Sequence, residues 1–268
     1  MKNRTLSFGE GLFETFRVYE GRRLAFVEDH LDRMAEGCRF FSFPFSRQRA
    51  LEALRQALNE IPGDVEARLR LNLISYGNHE AETTSFQTTW EPLEKTCTQQ
   101  DKRVRLGLAP FQRLSRSPLV RFKTTSYLEN AYVFNWARKA GFFDALFTNE
   151  RGDITEGSIS NVFFLDKGRL VTPPTDAGLL PGVTRKQILK VACAIGIPLT
   201  ESTVRPEELH QFDGAFVTNS VIEMLPVAMV GDATYGSPSI IDLLREGYRK
   251  RRNHSCLARR SMEAEYGQ

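Results

Sequence analysis

Residues 121–164 constrain the fold of this 268-residue chain more than any other stretch. A lysine, Lys123, stands where an extended run gives way to a predicted helix over residues 125–139. Two strands joined by a tight glycine-containing turn follow, and Glu156 lies at the start of the second strand. The stretch therefore predicts a mixed α/β arrangement that places one lysine and one acid at defined points.

Lys123 and Glu156 are the residue types that pyridoxal 5'-phosphate (PLP) chemistry requires. The amine forms a Schiff base with the cofactor aldehyde, and the acid keeps a proton on the pyridine nitrogen. A lysine must lose its proton to react, and both a helix start and burial favour the neutral amine. The residues alone leave two alternatives open, a solvated lysine near a helix N-terminus and a polar hairpin residue at position 156.

Composition excludes several classes of partner. Hydrophobic residues make up 41% of the chain and charged residues 26%, which is typical of a globular protein, and a net charge of +3 is too small to indicate nucleic acid. No apolar run approaches the length of a membrane span, and the first residues lack the apolar stretch of a signal peptide. The four cysteines lie far apart, without metal-site spacing. We therefore predict a cytoplasmic protein that binds neither metal, nucleic acid nor membrane.

The first part of the chain has the patterns of an α+β domain with an antiparallel sheet. Residues 65–75 alternate apolar with polar side chains, which predicts a half-buried strand. Polar residues 112–118 are typical of an interdomain connector. We predict a small α+β domain over residues 1–111 and a larger domain over residues 112–268. The other main predicted elements are helices at 28–41, 46–59, 181–196 and 240–252, and strands at 12–19, 22–26, 85–90, 103–109, 143–148, 161–166, 199–204 and 215–218.

Six motifs occur along the chain in the order typical of one enzyme family. They are FGEGLFETFR at 8–17, HLDR at 30–33, Lys123 with YLEN at 127–130, TEGS at 155–158 with SNVF at 160–163, LPGVTR at 180–185, and TNS at 218–220 with Glu223 and PV at 226–227. The chain thereby resembles the class IV aminotransferases, the fold-type IV PLP enzymes. The resemblance implies an α/β (α+β) fold of two domains, in which the larger has a β-barrel-like sheet with flanking helices. It also implies PLP as cofactor and a homodimer.

The resemblance assigns roles to individual residues. Lys123 and Glu156 are the implied catalytic pair, and further residues hold the cofactor phosphate or its phenolic oxygen. The implied cofactor-binding residues are Arg33, Lys123, Tyr127, Glu156, Val183, Thr184, Ser220 and Val221. An arginine fork and the first N–H groups of a helix both suit phosphate.

Without the resemblance, plainer interpretations of these residues stay open. Arg33 suits a surface pair with Asp29, the helix at 181–196 needs no ligand, and Tyr127 suits aromatic packing on a helix. For His30 we favour a structural role.

Three functions fit these motifs. The first is a PLP-dependent aminotransferase acting on an amino acid or related amine through a Lys123 Schiff base, with a small amino or keto acid as substrate. The second is 4-amino-4-deoxychorismate lyase, which releases pyruvate to give 4-aminobenzoate. The third is a PLP-binding protein without turnover.

The expected substrate loop departs from the family pattern. Residues 75–80 lack the arginine with which D-amino acid enzymes of the family grip a carboxylate, whereas chain length and FETFR at 13–17 resemble the lyase branch. The strand that family members carry before residue 8 is expected to be absent.

Overall fold

The chain divides into two compact units. The computed structural model describes residues 1–93 and 103–256. Among these, the first unit comprises residues 1–93, 122–127 and 252–256, and the second comprises residues 103–121 and 128–251. The predicted division between residues 111 and 112 remains a prediction. Residues 122–127, which include Lys123, group with the first unit.

The first unit contains an antiparallel sheet, as predicted, and this sheet has five strands. Its strands are β1 (Lys2–Asn3), β2 (Gly11–Tyr19), β3 (Arg23–Leu24), β4 (Ala67–Gly77) and β5 (Thr83–Pro92). The order is β1-β4-β2-β3, and β5 also pairs with β4. The expectation of no strand before residue 8 is wrong, because Lys2 pairs with Gly77 in a two-residue edge strand. Arg4 secures this terminus by donating to the Glu10 carboxylate and to the Asn78 carbonyl oxygen.

Three helices belong to the first unit: α1 (Arg4–Phe8), α2 (Val27–Phe40) and α3 (Arg47–Glu60). The Ser46 hydroxyl caps α3 by accepting from the Arg49 N–H, which satisfies one of the N–H groups that lack an intrahelical partner. The apolar faces of α2 and α3 form one core with the apolar face of β4, where Leu69, Leu71 and Leu73 are fully buried. Each such leucine stabilises the fold by about 1.5–3 kcal/mol.

The Lys123 segment lies along the start of β2. The Phe13 N–H donates to the Lys123 carbonyl oxygen at 2.9 Å, and the Thr125 N–H donates to the Gly11 carbonyl oxygen at 2.9 Å. Because β2 takes these backbone groups, the segment cannot form the helix predicted from residue 125. The helix begins instead at Leu128, and Lys123 is therefore not at a helix start.

The second unit contains a nine-stranded mixed sheet. Its strands are β6 (Val104–Leu108), β7 (Asp144–Thr148), β8 (Ile154–Gly157), β9 (Asn161–Asp166), β10 (Arg169–Thr172), β11 (Leu199–Glu201), β12 (Gly214–Asn219), β13 (Glu223–Val230) and β14 (Ala233–Thr234). The order is β11-β10-β9-β12-β13-β6-β7-β8, and β14 pairs with β13. β10 with β11, β13 with β6, and β6 with β7 are parallel, and the other pairs are antiparallel.

Four helices accompany this sheet: α4 (Pro118–Arg121), α5 (Leu128–Lys139), α6 (Val183–Ala194) and α7 (Ile240–Ser255). Two 3-10 helices, Thr175–Ala177 and Pro206–Gln211, complete the unit. The core is rich in aromatic and β-branched side chains, such as Phe164 and Val217, which suit strands buried on both faces. None of the helices in the described ranges has the length and apolar character that crossing a bilayer needs.

Replacing Gly11 by alanine should lower the free energy of unfolding by about 1–3 kcal/mol. The added Cβ would lie 2.7 Å from the Leu73 carbonyl oxygen and 2.9 Å from Thr125 Oγ1, so β2 and the Lys123 segment would have to move apart. Urea unfolding followed by circular dichroism measures the change. Gly63→Ala is the matched control, since a Cβ there meets no atom within 4 Å. Equal unfolding midpoints for the two variants would contradict the close packing.

Candidate active site

The residues predicted to form the site fall in both units. The first unit holds Arg33, Lys123 and Tyr127, and the second holds Glu156, Val183, Thr184, Ser220 and Val221. Each group is described within its own unit.

The Lys123 amine faces aromatic rings. Its Nζ lies 4.5 Å from the centroid of the Phe13 ring and 5.7 Å from that of the Tyr127 ring. The two rings meet edge to face, with centroids 5.1 Å apart. Tyr127 therefore shares an aromatic wall with Phe13 instead of lying one helical turn after the lysine. The Lys123 side chain is half-buried beside this wall.

Lys123 and Arg33 open onto the same small cleft of the first unit. Its lining combines three charged side chains with apolar ones from β2, α2 and the Lys123 segment. The lining residues are Leu12, Phe13, Glu14, Arg33, Met34, Gly37, Phe122 and Lys123. Two residues that are far apart in sequence, the predicted Schiff-base lysine and the predicted phosphate ligand, are thus brought together.

Arg33 is held in this cleft by a buried carboxylate. Its Nε donates to Glu14 Oε1 at 2.9 Å and its Nη2 donates to Glu14 Oε2 at 2.6 Å. His30 Nδ1 lies 2.7 Å from Glu14 Oε2. Burial by itself raises the pKa of Glu14, but Arg33 and His30 outweigh it and lower the pKa to about 2. Since an ionised carboxylate only accepts, His30 carries its proton on Nδ1, and burial lowers the pKa of His30.

Arg70 is a cation near Lys123 to which the sequence pattern assigned no role. Its guanidinium carbon lies 3.5 Å from the centroid of the Phe13 ring, and its Nε donates to Asn72 Oδ1 at 2.7 Å. Burial lowers the pKa of Arg70. Within the described ranges no carboxylate pairs with Arg70, so it is a half-buried cation without a counter-charge. Its only sequence signal was its position on the polar side of the predicted strand over residues 65–75.

Glu156 is buried in the second unit and is held by donors on both carboxylate oxygens. Arg113 Nη1 donates to Oε1 at 3.2 Å, while Asn161 Nδ2 and the Leu180 N–H donate to Oε2 at 3.1 and 3.2 Å. Its side chain is 8% exposed, so it is not a solvated hairpin residue. Arg113 was missed by the sequence pattern, which indicated only a polar connector over residues 112–118.

Asp144 fixes the turn that follows Glu156. This fully buried carboxylate accepts from the hydroxyls of Ser158 and Ser160 and from the backbone N–H groups of Ser158 and Ile159. Burial raises the pKa of Asp144, although these hydrogen bonds oppose the rise. The bonds hold the link between β8 and β9 in one conformation, which sets the position of Glu156 and Asn161.

The start of α6 has the features of an anion site. Gly182 precedes the helix, no side chain caps it, and its first N–H groups lack partners within the helix. Thr184 Oγ1 is buried and has no hydrogen-bond partner among the residues that the structure describes, and the same holds for Thr218 Oγ1 on β12. A Cβ on Gly182 would lie 2.0 Å from Asn161 Oδ1, so only glycine fits beside Asn161. These unsatisfied donors fit a phosphate group.

Ser220 and Val221 follow β12 in a turn organised by Asn219. The N–H groups of Val221 and Ile222 each donate to Asn219 Oδ1 at 2.9 Å, and Asn219 Nδ2 donates to the Ile159 carbonyl oxygen at 3.0 Å. The turn is therefore rigid. The role of Ser220 and Val221 as phosphate ligands stays a prediction.

The Glu14 cluster should make the folded state sensitive to acid. Because its folded pKa of about 2 lies below its usual value of 4.5, Glu14 contributes stability above pH 4.5 that is lost as the pH falls towards 2. Glu14→Gln should flatten the decline in unfolding free energy across this window. It should also lower stability at neutral pH by about 3 kcal/mol, because Arg33 stays buried without its counter-charge.

Unfolding free energies from urea titrations at several pH values measure this effect. Glu20→Gln, at an exposed position, is the control. A wild-type curve and a Glu14→Gln curve that run parallel below pH 4.5 would refute the assignment.

Comparison with known proteins identifies the family. The family model described as "Amino-transferase class IV" matches residues 11–230. An aminodeoxychorismate lyase of Bacillus subtilis is 35% identical over 244 residues, which cover 87% of this chain and 81% of that protein. A D-alanine aminotransferase of Bacillus licheniformis is 26% identical over 88% of this chain and 84% of that protein. The solved structure of a branched-chain aminotransferase from Thermoproteus uzoniensis superposes with a TM-score of 0.86 at 23% identity, covering 96% of this chain and 92% of that one.

The superposition confirms the predicted fold, that of the fold-type IV PLP enzymes. The family match extends through both units and includes Lys123, Glu156 and the start of α6. The chain belongs to the class IV aminotransferase family.

Proposed function

We propose that the chain is a PLP-dependent enzyme acting on a small amino-acid-like amine, with Lys123 as the residue that holds the cofactor covalently. The observation that carries this proposal is the shared cleft of Lys123 and Arg33. When bound, PLP supplies an aldehyde that captures amines and a ring that withdraws electrons from them. The family match and the unsatisfied donors at the start of α6 support the same cofactor.

Each predicted residue has a distinct task in this proposal. Lys123 would hold the cofactor aldehyde and would take up and return protons at its Nζ. Glu156 would keep a proton on the ring nitrogen, and Tyr127 would contact the phenolic oxygen. The phosphate would be held by Arg33, the N–H groups of Val183 and Thr184, Ser220 and Val221.

We infer that the reaction is the lyase reaction, in which aminodeoxychorismate is converted to 4-aminobenzoate and pyruvate. The support is the higher identity to an aminodeoxychorismate lyase, 35%, than to a D-alanine aminotransferase, 26%, over similar shares of the chain. Of the functions predicted from the motifs, the aminotransferase reaction was the first and the lyase reaction the alternative, although FETFR at 13–17 resembles the lyase branch. That reaction remains the second candidate, because the same lysine and acid serve both reactions.

Reduction with borohydride tests the cofactor assignment. Purified protein loaded with PLP should absorb visible light. Borohydride should remove this absorbance and leave the reduced cofactor attached to Lys123. Lys123→Ala should lose all turnover, while a protein that takes up no PLP would refute the enzyme assignment. Pyruvate release from aminodeoxychorismate, measured beside amino transfer to several keto acids, separates the two reactions. A protein that binds PLP but is inactive in both assays would support a cofactor-binding role without turnover.

Arg70 is our candidate for the group that binds the substrate carboxylate. The loop over residues 75–80 lacks the expected arginine, and Arg70 lies on the same strand, β4. Phe13 has the Arg70 guanidinium and the Lys123 amine over its ring. A half-buried guanidinium without a counter-charge gains most from an arriving carboxylate, which it can bind with two hydrogen bonds.

Arg70→Gln should raise KM for the carboxylate substrate roughly tenfold to a hundredfold and change kcat little, because it removes a charge-assisted contact to the bound substrate. Steady-state kinetics on the confirmed substrate measure this effect. Arg68→Gln is the matched control, since Arg68 lies two residues earlier on β4, is largely exposed and pairs with Glu91. An unchanged KM in Arg70→Gln, or an equal rise in both variants, would refute the assignment.

A homodimer is part of the proposal, because the resemblance to the family supports one. The chain's net charge of +3 is consistent with a small-molecule substrate in preference to nucleic acid. The cytoplasmic location stays a prediction from the sequence.

A further inference from the structure

Arg113 lies at the centre of a buried polar cluster in the second unit. Its Nε donates to Glu129 Oε2 at 3.0 Å, its Nη1 to Glu156 Oε1 at 3.2 Å and its Nη2 to Asn130 Oδ1 at 2.6 Å. The guanidinium carbon lies 3.6 Å from the centroid of the Phe147 ring. Each guanidinium nitrogen thus has a partner, and the ring fixes the plane of the group.

The partners of Arg113 come from two elements. Glu129 and Asn130 lie in the first turn of α5, and Glu156 lies on β8. Asn130 Nδ2 also donates to the Ser158 carbonyl oxygen at 2.8 Å, just beyond β8. Because the guanidinium is a rigid fork, its three bonds tie the Glu156 carboxylate to the start of α5.

The two carboxylates that meet Arg113 differ in their access to water. The Glu129 side chain is 47% exposed, whereas that of Glu156 is 8% exposed. Water can therefore solvate Glu129 after Arg113 is removed, but it reaches Glu156 poorly. The loss of Arg113 should affect Glu156 above all, since a buried charge depends on its partner.

We infer that Arg113 is a positioning residue that acts through Glu156. It holds the buried carboxylate in a fixed orientation, in which Glu156 would meet the ring nitrogen of PLP. The inference rests on the proposed function, because Glu156 needs a ring nitrogen to meet. A structural role alone would stabilise the loop over residues 112–117 without distinguishing one cofactor from another.

The affinities for PLP and for an analogue without the ring nitrogen distinguish a positioning role of Arg113 from a purely structural one. The apoprotein is titrated with PLP and with its analogue in which C–H replaces the ring nitrogen, and the dissociation constants are measured by absorbance and fluorescence. Arg113→Gln should weaken PLP binding roughly tenfold, which corresponds to one lost charge-assisted hydrogen bond, and leave the analogue's affinity unchanged. In a Glu156→Gln background, Arg113→Gln should cause no further loss of PLP affinity.

Arg116→Gln is the matched control, because Arg116 is exposed three residues along the same loop. If Arg113→Gln does not fold, Arg113→Lys replaces it, since lysine keeps the charge but not the planar fork. Arg113→Lys should also weaken the binding of PLP and not that of the analogue, but by a smaller factor. Equal weakening of both cofactors, no weakening of either, or failure of both variants to fold would overturn the inference. Wild-type protein that binds no PLP would instead overturn the proposed function.

Discussion

The backbone pairing of residues 122–127 with the start of β2 determines where the Lys123 amine lies. Two hydrogen bonds join Lys123 and Thr125 to Phe13 and Gly11, and they leave the lysine over the Phe13 ring. This approach needs glycine on β2, because a Cβ at Gly11 would meet backbone and side-chain atoms closer than 3.0 Å. The glycines of the FGEG motif are thus explained by packing against the lysine segment and need no contact with a ligand.

Buried charges in both units are held by rigid donors. Glu14 is held by the fork of Arg33, and Glu156 is held by the fork of Arg113. Burying a carboxylate costs free energy unless its oxygens accept hydrogen bonds. Each arginine therefore both stabilises its acid and fixes the orientation of the carboxylate. The unit that contains Lys123 and the unit that contains Glu156 therefore use the same physical device, with acids from different strands.

The sequence predicted local patterns well and non-local contacts poorly. The strand at 65–75 followed from alternation, and the helix predicted at 46–59 lies within one residue of α3, because both patterns lie within one element. The helix at residues 125–139 was predicted three residues too early, because pairing with β2 overrides local helix preference. β13 contains Pro226, which argues against a strand in a sequence pattern, yet β12 pairs with it over five residues. Arg113 had no signal, since its partners lie 16 to 43 residues further along the chain.

The alternation of side chains along β2 separates two kinds of residue. Phe13 points towards Arg70 and Lys123, whereas its neighbour Glu14 points towards Arg33 and His30. Neighbours on a strand face opposite ways, so Phe13 and Glu14 project to different sides of one sheet, although both line the cleft that Lys123 shares with Arg33. A change of the ring at position 13 would therefore alter the surroundings of Arg70 and Lys123 while the salt-bridged side of the strand remains intact. The scaffold in this way separates a residue that is free to vary from one that the buried ion pair fixes.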